Sequence, residues 1–274
     1  KLLNAYETGF TEDAVSFRIT TKDAQELNLR YQTLRPNDPY KVAVENGFLT
    51  PTRHPVHEVM PELQKKRPEA GYFVDLGVTH GLEKIWGYFV HPFTMDELCE
   101  LESMPRSLKN RCEQFKMLGL NCISAIGVDY IGHSLNIYFL KGLFPNSPEI
   151  SAQTIREFNF DVPSQDELEF NGDAFVIYPT FTWESDNVER LSYAQGGPQQ
   201  IIPSYWSPLI NKFAAEAPLY SDPRLFTFNT CYGHQMPNYY KLEADYEGRI
   251  FNHTIQHLIA GGMKRMEEDN LKFA

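Results

Sequence analysis

Residues 15–20 (Val15-Ser16-Phe17-Arg18-Ile19-Thr20) alternate apolar and polar side chains, and so do residues 27–32 (Leu27-Asn28-Leu29-Arg30-Tyr31-Gln32). A period of two is that of a half-buried strand, and two such runs joined by a short polar stretch predict a hairpin. The same signature predicts strand pairs at 72–78 and 82–90, with His80-Gly81 as the turn, then at 122–130 and 134–140, 174–183 and 188–194, and 225–232 and 238–246. Helical sequence intervenes at 38–48, 55–66, 95–118 with a break at Pro105, 151–158, 164–170, 204–217 and 250–268. The strand pairs thus recur at roughly 50-residue spacing, the mark of a repeat architecture. Hairpins imply antiparallel pairing. Helices between the pairs imply an α+β architecture, either an open sheet covered on one face or a closed barrel with helices outside. No Gly-, Ser- or Pro-rich linker divides the chain, so residues 1–274 read as one domain.

Alternation also assigns faces, because residues i and i+2 of a strand point the same way. One face collects Leu27, Leu29 and Tyr31; Leu135, Ile137 and Phe139; Phe175, Ile177 and Phe181; Leu191 and Tyr193. These side chains should meet the helices. The opposite face carries Ser16 and Arg18; Asn28, Arg30 and Gln32; Lys84, Trp86 and Tyr88; Ser134, Asn136 and Tyr138; Val176, Tyr178, Thr180 and Thr182; Arg190 and Ser192; Tyr239, Lys241, Glu243 and Asp245. A solvated face would carry many Lys, Glu and Thr and few aromatics. Here single cations are interleaved with Tyr and Trp. A lone Lys or Arg on a strand ordinarily faces solvent, so the reading rests on the joint pattern over several strands. In a closed barrel these faces would share one lumen. Arg30, Lys84, Arg190 and Lys241 would there form an anion clamp suited to a diphosphate, beside an aromatic wall able to shelter a cation.

Composition narrows the function classes. The net charge of −11 argues against non-specific nucleic-acid binding and against a basic membrane patch. No apolar run approaches the ~20 residues of a membrane span, and the start at Lys1 does not read as a signal peptide. Cys99, Cys112, Cys122 and Cys231 form no CxxC pair and fit neither a zinc ribbon nor a disulfide scaffold, which suggests a cytoplasmic protein. In that setting the sequon Asn252-His253-Thr254 carries no meaning. No Walker loop or GxGxxG occurs. Asp96-Glu97 with Glu100 reads as a solvated helix face, not a metal-binding DDxxD motif. His54 and His57 read as structural, and His253 and His257, four apart on a helix, lack a third ligand.

Several short motifs fall in order along the chain: Asp38-Pro39-Tyr40, Glu45-Asn46-Gly47, His54-Pro55-Val56, Gly81-Leu82-Glu83-Lys84, Asp129-Tyr130, Asn136-Ile137-Tyr138-Phe139, Tyr178-Pro179-Thr180-Phe181-Thr182-Trp183-Glu184, Arg190-Leu191 and Tyr239-Tyr240-Lys241-Leu242. This series resembles the ABBA-type aromatic prenyltransferases, the PT-barrel family, in its soluble branch of naphthoquinone, aminocoumarin and phenazine enzymes. The resemblance implies a closed barrel of ten antiparallel strands built from five αββα repeats and surrounded by α-helices, with the active site in the lumen. It implies transfer of a prenyl group from an allylic diphosphate to an electron-rich aromatic ring. The family's diphosphate-binding positions fall on Lys84, Asn136, Tyr138, Tyr178, Arg190 and Lys241. Where magnesium-dependent members place a metal-binding Asp, this chain has Asn28, with Arg30 nearby to supply positive charge. Asn is a poor Mg²⁺ ligand beside a carboxylate, so no metal cofactor is expected and Mg²⁺ should not be required.

The expected reaction is an electrophilic aromatic substitution. Arg30, Lys84, Arg190 and Lys241 would hold the leaving diphosphate, while Tyr138 and Tyr178 donate to its oxygens and shield the allyl cation. Trp86, Tyr88, Ser124 and Val176 would line the prenyl and acceptor pocket, and bulky Trp86 favours the five-carbon dimethylallyl donor. Glu243, with Glu184 and Asp245 as alternatives, would orient the acceptor or take its proton; Asp75 reads as a structural partner. The acceptor classes left open are an indole alkaloid, a hydroxynaphthalene or phenol, and a dihydrophenazine. No partner beyond these small molecules is expected, and the chain reads as a monomer. Two other functions remain: a non-catalytic carrier of hydrophobic ligands, which needs no such set of cations, and a diphosphate lyase or cyclase on the same fold.

Overall fold

Each predicted strand pair forms. The computed structural model describes residues 14–21, 28–33, 38–77, 81–140, 142–220, 222–234, 236–246, 248 and 256–268. The strands are β1 (Ala14–Thr20), β2 (Asn28–Thr33), β3 (Gly71–Gly77), β4 (Gly81–Thr94), β5 (Cys122–Asp129), β6 (Ser134–Leu140), β7 (Val176–Thr182), β8 (Arg190–Gly197), β9 (Phe226–Gly233) and β10 (Met236–Asp245). All pairings are antiparallel, and the sheet is strongly curled with helices outside. Hydrogen-bonded neighbours follow the chain from β2 to β10, and β1 pairs with both β2 and β10. Curling divides the two faces predicted by alternation into an outer, helix-covered face and an inner one.

The outer face is the main core. Leu135, Ile137, Phe139, Ile177, Phe181, Leu191 and Tyr193 are buried together with helix residues such as Val59, Leu63, Leu108, Phe115 and Ile155. Phe115 sits at its centre, with ring centroids 6.0 Å from Phe139, 5.0 Å from Phe158 and 5.9 Å from Phe181. Burying one such side chain is worth roughly 1.5–3 kcal/mol. A polar network crosses the same face: the buried Glu167 carboxylate accepts from the hydroxyls of Tyr232, at 2.5 Å, and Tyr240, at 3.3 Å. Asn171 donates to Tyr232 and accepts from Thr230. Leu27 lies outside the described residues. So do the side chains of β2, including Asn28, Leu29, Arg30, Tyr31 and Gln32.

The helices begin where capping residues dictate. α1 (Pro39–Glu45) starts behind Asp38, whose side chain accepts from Lys41 N, with Pro39 at the first position. α2 is Val56–Lys66. The helical stretch predicted over 95–118 with one break at Pro105 is instead three short helices: α3 (Met95–Cys99), α4 (Arg106–Lys109) and α5 (Cys112–Met117). Thr94 and Glu97 form a reciprocal capping box that starts α3, and Pro105 directly precedes α4. α6 (Pro148–Glu157) begins earlier than predicted because Ser147 caps it and Pro148 occupies its first turn. α7 (Gln165–Gly172) and α8 (Pro208–Glu216) follow the caps Ser164 and Ser207. The terminal helix α9 is described over Gln256–Glu268; His253 and the sequon lie outside the described residues.

Glycine lets α9 settle onto the sheet. A β-carbon at Gly261 would collide with the Val90 carbonyl of β4, so the helix backbone can approach the strand only without one. Among the described residues, no helix is long and apolar enough to cross a membrane.

The Phe115 cluster sets a test of the core. Phe115→Ala should lower the unfolding free energy by about 3–5 kcal/mol in a denaturant titration. Met117→Ala, at a side chain 75% exposed, should change it by less than about 0.5 kcal/mol.

Candidate active site inside the curled sheet

The inner face encloses a cavity of about 120 Å³. Lys84, Trp86 and Tyr88 of β4 line it, with Asn136 and Tyr138 of β6, Val176 and Tyr178 of β7, and Lys241 and Glu243 of β10. These nine were predicted from alternation and resemblance. Register explains why they meet: Asn136 lies opposite Thr180, Tyr178 opposite Ser192, and Lys241 opposite Asn229. Arg190 adjoins the cavity wall through Asn136 and Tyr239. Arg30 sits in β2 opposite Ser16 and Asp75, but its side chain lies outside the described residues. Arg18 of β1 lines the cavity itself.

Four placements differ from expectation. Glu184, an alternative to Glu243, shares the parity of Tyr178, but β7 ends at Thr182 and parity lapses there. Its carboxylate is 63% exposed and lies 3.0 Å from His54 Nε2, which holds its pKa below the usual range. Asp245 is buried but does not line the cavity; at the end of β10 it accepts from Gly248 N at 3.0 Å. Ser124 is buried yet off the cavity wall, because the β4–β5 register shifts between Tyr88 and Phe93 and passes the inward position to Ala125. Phe175, expected on the outer face, lines the cavity because it precedes the first residue of β7.

The aromatic wall is continuous. Trp86 and Tyr138 have centroids 4.7 Å apart, and Tyr138 stacks on Tyr178 at 4.7 Å with 20° between planes. Trp86 reaches β6 across β5 because the intervening residue is Gly127; a β-carbon there would come within 3.1 Å of the indole.

The cations are compensated unequally. Lys84 Nζ lies 2.9 Å from Asp129 Oδ2. Burial opposes ionisation of Asp129, but Lys84 and the backbone N–H groups of Gly132 and Ile131 hold its pKa low. Arg18 pairs with Asp75 at 3.3 Å and lies 4.0 Å from Glu83, so Asp75 takes the structural part expected of it. Arg190 instead donates to Tyr239 Oη at 2.9 Å and to Asn136 Oδ1 at 3.4 Å, both neutral partners. The Lys241 ammonium lies 5.7 Å from the Tyr178 ring centroid and 5.6 Å from that of Tyr239. Among the described residues, neither Arg190 nor Lys241 forms an ion pair. Burial, with repulsion from Arg190, Arg18 and Lys84, pulls the Lys241 pKa well down. Burial likewise lowers that of Lys84, against the pull of Asp129. Tyr178 is held neutral by burial and donates to Asn229 Oδ1 at 2.8 Å.

Glu243 accepts from the fully buried Ser16 hydroxyl at 2.5 Å and lines the cavity together with Trp86 and Tyr138. Sequence reasoning missed Thr227, Asn229, Phe73 and Leu258, all of which line the space. Cross-strand pairing with Glu243, Lys241 and Trp86 would have found the first three. Leu258 comes from α9 and has no strand-based signal.

An ammonium with a lowered pKa binds an anion only with a proton in place. Pyrophosphate affinity should therefore fall as pH rises through the alkaline range, because binding must bring a proton to Lys241. Lys241→Arg, whose charge does not titrate, should flatten that slope in calorimetric titrations; an unchanged slope would assign the dependence elsewhere.

Comparison with known proteins places this site in context. The family model described as aromatic prenyltransferase Orf2 matches residues 1–256. A 5,10-dihydrophenazine-1-carboxylate 9-dimethylallyltransferase from Streptomyces anulatus is 33% identical over 229 residues, covering 80% of this chain and 76% of that protein. A flaviolin linalyltransferase from Streptomyces virginiae is 30% identical over 272 residues, covering 95% of this chain and 88% of that one. A furaquinocin biosynthesis prenyltransferase from a Streptomyces species (strain KO-3988) is 30% identical over 197 residues, covering 70% and 64%.

Proposed function

Because the chain belongs to the aromatic prenyltransferase family, and so transfers prenyl groups to aromatic substrates, we propose that its inner cavity ionises dimethylallyl diphosphate and alkylates an electron-rich ring beside it. The observation that carries this reading is the pair Arg190 and Lys241, half-buried against an aromatic wall with no carboxylate partner among the described residues. Buried cations without counter-charge favour an anionic ligand. Bulky Trp86 and Leu258, in a cavity of about 120 Å³, favour the five-carbon donor.

In the proposed reaction the allylic C1–O bond breaks and its electron pair leaves on the diphosphate. Arg190, Lys241 and Lys84 stabilise that charge, and Asn136 and Tyr138 adjoin the same oxygens. Trp86, Tyr138 and Tyr178 face the allyl cation. The acceptor ring supplies the electrons of the new C–C bond, and its displaced ring proton passes to Glu243. Metal-independent catalysis belongs to this proposal, with protein cations in place of Mg²⁺; Asn28 and Arg30 support it by sequence, though their side chains lie outside the described residues. So does the family's full container, a closed ten-stranded barrel of five αββα repeats, which the β1–β2 and β1–β10 registers favour. Four free cysteines favour the cytoplasm.

Incubation with dimethylallyl diphosphate and a panel of indoles, hydroxynaphthalenes and dihydrophenazines should give prenylated product in EDTA as in Mg²⁺. Diphosphate release without an acceptor would instead indicate a lyase. Tight dye binding without turnover would indicate a carrier. Arg190→Ala and Lys241→Ala should each lower kcat/KM for the donor by on the order of 10²–10³; full activity in both would remove the clamp. Glu243→Gln should lower kcat by on the order of 10²-fold with little change in donor KM.

A further inference from the structure

Tyr88 of β4 rests on a strand position that has no side chain. Its cross-strand partner on β3 is Gly71. A β-carbon at Gly71 would overlap the Tyr88 phenol at Cζ and at the hydroxyl oxygen. The phenol therefore lies across Gly71, next to Phe73, whose ring centroid is 5.2 Å away. The backbone does not require glycine here: φ at Gly71 is not in the left-handed region, unlike φ at Gly47, Gly81 and Gly119. The atoms nearest the missing β-carbon all belong to Tyr88, so the bare position serves the close approach of that ring. On its other side Tyr88 is paired with Ala125 of β5, which lines the cavity. Tyr88 thus stands between two small residues and leans on Gly71, which leaves the space over Ala125 to the cavity.

That space belongs to the apolar half of the site. Lys84, Trp86 and Tyr88 are successive inward residues of β4, so Tyr88 stands roughly 13 Å along the strand from Lys84. Leu140, Val176 and Leu258 line the cavity with it and share its apolar cluster. A diphosphate held at Lys84 and Lys241 puts the allyl group against Trp86 and Tyr138. A ring that attacks the allylic carbon from the side away from the leaving group then falls among these apolar side chains.

On the prenyl-transfer reading of the cavity, we propose that Gly71 is a positioning residue for acceptor selection. By seating Tyr88 away from Ala125 it reserves that space for the aromatic acceptor and sets how large a ring system fits. A side chain at position 71 forces the phenol from its seat, and the staggered alternative on the inner face carries it over Ala125. A phenol there takes space from a cavity of about 120 Å³, and a tricycle needs more of that space than an indole.

Binding of indole, a dihydroxynaphthalene and dihydrophenazine to the full chain, in saturating pyrophosphate and without oxygen, reads the space directly. In Gly71→Ala the loss of affinity should grow with ring count, from less than about fivefold for indole to on the order of 10–100-fold for the tricycle. Pyrophosphate affinity in this variant should stay within about twofold of the unsubstituted protein, because the clamp is untouched. Tyr88→Ala, which empties the seat, should shift preference toward the larger rings by on the order of tenfold. Gly71→Ala with Tyr88→Ala should bind all three as Tyr88→Ala does, because no phenol remains to be displaced; a merely structural role for Gly71 would not be relieved in this way. If Gly71→Ala does not fold, the ring preference of Tyr88→Ala decides. Equal loss for the three acceptors, no relief in the double variant, an unchanged preference in Tyr88→Ala, or no binding of any acceptor by the unsubstituted protein would each overturn the proposal. Turnover separates it from the reading beneath it: acceptors that bind in this size order yet give no prenylated product support the seat and sink the transfer.

Discussion

Two half-buried basic groups without negative partners among the described residues set the terms for the rest of the inner wall. Desolvating a cation costs several kcal/mol unless its surroundings replace the lost hydration. Arg190 recovers part of this from Tyr239 and Asn136, and Lys241 from the faces of Tyr178 and Tyr239. Both remedies use neutral groups, so the pair retains its attraction for an anion. Lys84 and Arg18 stand at the same face but are met by Asp129 and Asp75. The wall thus combines cations whose positions are fixed by carboxylates with cations whose charge is left for the ligand.

That division suits a reaction in which negative charge grows on the leaving group while positive charge grows on the allyl fragment. Donors aimed at a leaving diphosphate act most strongly where water is excluded. In the proposed reaction the same exclusion of water would protect the allyl cation from hydrolysis, and the stack of Trp86, Tyr138 and Tyr178 would present π-faces to it. Gly127 belongs to this arrangement although it has no side chain, since the indole crosses β5 only where no β-carbon intervenes. α9 acts in a similar way at longer range: Gly261 permits its approach to β4, and Leu258 then lines the cavity.

The outer face obeys a different constraint, close packing of apolar surface. Phe115 and its neighbours fill the space between sheet and helices, and the polar groups caught there are satisfied by one another, as Glu167, Tyr232, Asn171 and Thr230 are. The curl of the sheet links the two faces. It turns the polar side of the described hairpin strands inward, where a flat sheet would have left those cations in water.

Alternation alone determined most of this protein: the hairpins, the outer core residues Leu135 through Tyr193, and the inward positions of Lys84, Trp86, Asn136, Tyr178, Lys241 and Glu243. Period-two patterning is a local property, so it survives wherever a strand is regular. It failed where regularity failed. The bulge beside Ser124 shifted the inward position by one residue, and strand ends released Glu184 and Phe175 from their expected faces. The first break within residues 95–118 was marked by Pro105, whereas the second, between Lys109 and Cys112, carries no proline to mark it. Only the tertiary structure decided which cations carry carboxylate partners and which helix supplies Leu258. Those facts depend on contacts between residues tens to hundreds of positions apart, and no short-range periodicity encodes the distance between two side chains on different elements.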